Sequence, residues 1–72
     1  MMRNRMVEQR ARLGLSQKKL ATILGVTRQT IISVENGKHD PSLSLAFNMA
    51  TVFGCTVDEL FQPEPWQPLE RR

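Results

Sequence analysis

Arg28 and Gln29 stand side by side, and each carries a side chain able to make two parallel hydrogen bonds to one purine. A guanidinium matches guanine O6 and N7, or grips a phosphate, and a primary amide matches adenine N6 and N7. At about 100° per residue, Gln29, Ile32, Ser33 and Asn36 fall on one helical face, while Ile31 and Val34 point the other way. The outward set is short, polar and rich in amides, which suits nucleobase edges better than a protein core. Ser33 and Asn36 are short enough to reach base or backbone through water. Ile32 breaks the polar pattern. It either touches a thymine methyl or is one of the isolated surface apolar residues common to all proteins, and both readings stay open.

The segment that must hold this face is SQKKLATILGVTRQTIISVENGK, residues 16–38. Ser16 is placed to cap a helix over 17–24, its hydroxyl accepting an amide of the first turn. Gly25 stops that helix because glycine takes positive φ at little cost, and Val26 tucks beneath the turn. Thr27 then caps a second helix over 28–36, which Gly37 ends. Ala21, Gly25 and Ile31 supply a small residue, a turn residue and a β-branched core residue where two steeply crossing helices approach.

Arg10, Leu13-Gly14-Leu15, Gln17, Leu20-Ala21, Gly25, Thr27, Gln29, Ile31 and Glu35-Asn36-Gly37-Lys38 closely resemble the DNA-binding domain of the lambdoid phage repressor and Cro proteins, the XRE family. The resemblance covers residues 3–61. It implies an all-α fold, a compact five-helix bundle with a helix-turn-helix, of the lambda repressor-like kind. In such proteins the second helix of the motif enters the major groove by its first turn. The resemblance also implies that Gln17 contacts DNA and that the loop after Gly37, with the start of the fourth helix, follows the DNA backbone. The residues expected at the DNA are therefore Gln17, Thr27, Arg28, Gln29, Thr30, Ile32, Ser33, Asn36, Lys38 and Ser42. Without a partner, Gln17 would simply be a helix-start residue.

Seventy-two residues make one small domain, near the lower limit for a core without staples, which favours helices. Cys55 is the only cysteine, so neither an internal disulfide nor a zinc pair is expected, and the chain reads as reduced, intracellular and cytoplasmic, joining the nucleoid when bound to DNA. No apolar run approaches a membrane span, and the basic start lacks a signal-peptide core. Residues 3–38 hold eight basic and two acidic side chains, a balance of +6, whereas the remainder carries −3. A solvated basic face would account for this equally well by charge alone, but joined to the two-helix spacing it favours a phosphate-neutralising surface.

A first helix is expected over 4–13, with Met6, Val7, Arg10, Ala11 and Leu13 inward. Arg10 would be costly to bury alone, and Glu35 lies at the inward edge of the third helix, so the two are expected to pair, as the matching residues do in the resembling repressors. Two exposed side chains are the alternative. In the second helix, Leu20, Ala21, Ile23 and Leu24 are the expected core, with Lys18 and Lys19 outward. Asp40-Pro41 marks a turn, and His39, without ligand companions, reads as solvated. Ser42 caps a fourth helix over 43–53, its free amides offering a phosphate cradle near Lys38. Ala46, Met49, Ala50 and Phe53 should form its core face, leaving Phe47 and Val52 in need of cover. Thr56 and Glu59 make a capping box for a short helix over 57–61. Cys55 reads as a small packed residue with no basic neighbour in sequence to make its thiol reactive. Residues 1–61 thus form the domain, and 62–72, with Pro63, Pro65 and Pro68, a tail in which Trp66 and Leu69 either stay free or dock on the fourth or fifth helix.

The expected function is sequence-specific DNA binding by a transcription regulator, a repressor reading an inverted repeat of double-stranded DNA as a homodimer through its last two helices and tail. The competing reading is a protein-interaction module, antitoxin-like or anti-activator, on the same fold. No nucleophile stands beside a base, and there is no metal-ligand cluster or glycine-rich phosphate loop, so neither catalytic residues, cofactor, metal nor small-molecule substrate is expected.

Overall fold

A computed structural model describes residues 3–62. In chain order it contains β1 (Arg3–Asn4), α1 (Met6–Leu13), α2 (Gln17–Leu24), α3 (Arg28–Glu35), α4 (Leu43–Phe53), α5 (Val57–Leu60) and β2 (Phe61–Gln62). Five helices make the body, as the sequence implies. Ser16, Thr27, Ser42 and Thr56 each accept an amide of the following helix, and the Thr56–Glu59 capping box is closed in both directions. Gly37, at φ +78°, ends α3 with paired bonds from Gly37 N to Val34 O and from Lys38 N to Ser33 O. That double closure fixes where the chain leaves the proposed reading helix.

The core is assembled around α4, which packs on α1, α2 and α5, while α2 and α3 pack on each other. Met6, Leu20, Ile31, Met49, Phe53 and Leu60 are its largest fully buried side chains. Ala21 is almost as deeply buried where α2 meets α3. Ala21→Leu should cost about 1–3 kcal/mol by overpacking that crossing. Thermal unfolding would check it, and an unchanged midpoint would show that the crossing has room to spare.

Several expectations are corrected. The first helix begins at Met6, because Asn4 is extended and its side chain is used twice: Oδ1 accepts from Met6 N at 3.1 Å and Nδ2 donates to Val34 O at 2.9 Å. Val7, Ala11 and Leu13 face outward with only Met6 fully buried, and Ile23 of α2 is 47% exposed. An eight-residue helix touching the body along one edge cannot bury a stripe that wide. The last helix stops at Leu60, and Phe61 and Gln62 pair antiparallel with Asn4 and Arg3. Pro63 disfavours helix at Gln62, which helps explain the switch to extended chain. Val52 is half-buried against the core, whereas Phe47 stays exposed. The expected docking of Trp66 and Leu69 falls on residues outside the described ones.

Cys55 is half-buried beside Glu59 and Arg12. Burial pushes its thiol pKa up, the Glu59 carboxylate pushes the same way, and the Arg12 guanidinium opposes them less strongly. The fold thus supplies the basic neighbour that the sequence lacks locally, and the thiol still stays protonated at neutral pH.

Candidate nucleic-acid interface

The site is built from the starts of α2 and α3, the turn after α3 and the start of α4. Gln29 is exposed on the first turn of α3, and its Nε2 lies 3.3 Å from Ser33 Oγ, one turn along the same face. A long contact of this kind lays the amide along the helix but is weak enough to yield to a better partner. Ser33 and Ile32 are half-buried and Asn36 is exposed, so Ile32 offers only part of its surface outward. Gln29, Ser33, His39 and Ser42 line one shallow groove of about 360 Å³ between α3 and the start of α4. The structure therefore brings the amide face and the α4 cap together.

Thr27 and Thr30 are engaged with each other. Thr27 Oγ1 accepts from Thr30 N at 3.1 Å and lies 2.9 Å from the Thr30 hydroxyl, which pins the start of α3. Asn36 likewise orders the turn, its Oδ1 accepting from Lys38 N at 3.2 Å and leaving the exposed Lys38 side chain beyond the helix end. Ser42 Oγ accepts from Leu45 N at 3.1 Å. Its hydroxyl hydrogen remains available as a donor.

Beneath the face, Arg10 Nε donates to Glu35 Oε2 at 2.6 Å and Arg10 Nη2 to Glu35 Oε1 at 3.3 Å. The two side chains are only 17% and 6% exposed. Arg10 Nη1 also donates to Leu15 O at 3.0 Å, tying the pair to the turn before α2. Gln17 then carries the network outward, donating Nε2 to Glu35 Oε1 at 3.0 Å and accepting at Oε1 from Arg28 Nη2 at 3.1 Å. The Glu35 carboxylate accepts only, so it dictates which way the Gln17 amide faces, and the amide oxygen is left to hold Arg28. Spacing along the chain gives no sign of this relay. Gln17 and Arg28 lie eleven residues apart on different helices, and only the packing of α2 on α3 joins them.

A helix-turn-helix family model matches residues 7–60. An HTH-type transcriptional regulator of Methanocaldococcus jannaschii is 50% identical over 60 residues, spanning 83% of this chain and 91% of its own. Among solved structures, a hypothetical transcription factor from Neisseria aligns with a TM-score of 0.71 and 31% identity, over 81% of this chain and 67% of that one. A protein from Bacteroides fragilis aligns with a TM-score of 0.75 and 26% identity, over 86% of this chain and all of its own. The chain belongs to the XRE-type helix-turn-helix family. It is a transcriptional regulator with a DNA-binding fold, and not an enzyme.

Proposed function

We propose that this regulator is a repressor which binds an inverted-repeat operator as a homodimer, with α3 in the major groove. The observation that carries this reading is the exposed Gln29 amide, on a helix whose two ends are pinned, sharing a groove with Ser33 and Ser42. Gln29 is the principal base reader, and Ser33, Asn36 and the outer part of Ile32 flank it. Arg28, drawn by Gln17 towards the first turn of α2, grips a phosphate there beside free helix amides. Thr27 and Thr30 serve chiefly to fix the helix start, while Lys38 and Ser42 meet the backbone further along. A single copy reads too few base pairs to be selective in a genome, so two copies bind half-sites about 34 Å apart. Leu43 and Phe47, 71% and 56% exposed on α4, support a dimer contact through α4, α5 and the tail. The protein works in the cytoplasm, on the nucleoid when bound.

Selection of bound duplexes from a random pool tests the whole reading. A two-fold symmetric motif is expected, with affinity falling steeply as salt rises. Retention of scrambled and selected duplexes alike would overturn it. The same exposed α4 residues also suit a protein partner of the antitoxin or anti-activator kind. Elution of the native protein from a cell extract as a larger mixed complex without DNA would favour that second reading.

A further inference from the structure

Residue by residue, His39 reads as a solvated loop side chain, but the fold gives it a fixed place. The Ser33 carbonyl accepts from Lys38 N at 3.0 Å and from His39 N at 3.2 Å, so the backbone at residue 39 is seated against the end of α3. The exposed ring lines the groove of about 360 Å³ that also holds Gln29, Ser33 and Ser42. In the proposed docking Gln29 reads a base while Lys38 and Ser42 meet the backbone, and His39 stands among all three.

One contact sets the polarity of the ring. Nδ1 lies 3.3 Å from Lys38 O. A carbonyl only accepts, so Nδ1 carries the hydrogen of the neutral imidazole. Nε2 is then a bare acceptor, and a phosphate oxygen facing it would meet a lone pair. A second proton reverses this, because both nitrogens of an imidazolium donate. We propose that His39 is a proton-dependent phosphate ligand, whose Nε2 donates to the DNA backbone only after the ring has taken a proton from solvent. The proposal rests on the docking described above. Among the described residues lining the groove, Asp40 is the only other titratable one, and Lys38 precedes His39 in the chain. The side chains that α3 and the start of α4 bring to the groove are uncharged. Asp40 and Lys38 are present with or without DNA, whereas the phosphate arrives only in the complex, so protonation and binding favour each other. Affinity therefore rises as pH falls through the range of about 5 to 8 in which histidine ordinarily changes charge.

His39 is the single histidine of the chain, so one substitution isolates the effect. Affinity of the full chain for its selected duplex is measured between about pH 5.5 and 7.5, the span in which a histidine titrates, at two salt concentrations. The wild type should bind about tenfold tighter per protomer at the acid end, as one charge-assisted hydrogen bond is worth. Its slope of log affinity against log salt should steepen there by about one per protomer. His39→Ala should abolish both changes, and His39→Lys, charged throughout, should bind equally well across the range. Circular dichroism would verify that each protein stays helical at both limits. Affinity indifferent to pH, with preference for the selected duplex intact, overturns the proposal, as does a pH dependence that survives His39→Ala. Tightening as pH rises also overturns it, and assigns the neutral Nε2 to a base amino group. Loss of selective binding at every pH would sink the docking itself and this contact with it, so the two failures are told apart.

Discussion

Glu35→Ala is expected to remove about 3–5 kcal/mol of folding stability, because it strands a nearly buried guanidinium without its carboxylate. A domain of this size is stable by only about 4–11 kcal/mol, at roughly 0.05–0.15 kcal/mol per residue. The single substitution therefore consumes a large part of the total. The loss is not the net worth of the ion pair. Replacing both charges with apolar side chains of similar volume, as in Arg10→Met with Glu35→Leu, should restore most of the stability, since neither charge is then left behind. Urea unfolding of the two variants separates these cases. A loss below about 1 kcal/mol for Glu35→Ala would mean that the pair behaves as a solvated surface contact. The double variant should still bind DNA less well than its stability suggests, because Gln17 loses the carboxylate that orients it and Arg28 loses its anchor.

Gln29→Ala should cost about 1–3 kcal/mol of discrimination between the selected operator and a duplex altered at the contacted adenine, while barely changing affinity for unrelated DNA. Lys38→Ala should do the opposite, weakening all duplexes alike and reducing the slope of log affinity against log salt by about one. The contrast follows from placement. Gln29 is exposed on the first turn of α3, whereas Lys38 is exposed on the turn beyond its end, so in the proposed docking Lys38 is assigned to phosphate and Gln29 to a base. Titrations of both variants on both duplexes at two salt concentrations check the assignment. A uniform weakening by Gln29→Ala, or a lost preference by Lys38→Ala, would exchange the roles.

The sequence by itself determined the five helices and most of their limits, because the signals that set them are local. Ser16, Thr27, Ser42 and Thr56 are caps within three residues of the amides they accept, and glycines at helix ends fix the stops. The core face of α4 was equally legible, since one period of 3.6 residues places Ala46, Met49, Ala50 and Phe53 together. Periodicity failed on the shorter, peripheral surfaces. It could not tell that Val7, Leu13 and Ile23 face outward, because an apolar residue on a small bundle is buried only if another helix arrives to cover it. Two-residue strands carry no alternation to read, so β1 and β2 exist only because residues 3–4 and 61–62, far apart in sequence, meet in the fold. The site divides the same way. Gln29, Ser33 and Asn36 share a face by helical geometry alone. That Asn4 clamps the end of α3, and that Gln17 links a nearly buried carboxylate to Arg28, was decided by helix crossing, which sets distances between residues that the linear chain keeps far apart.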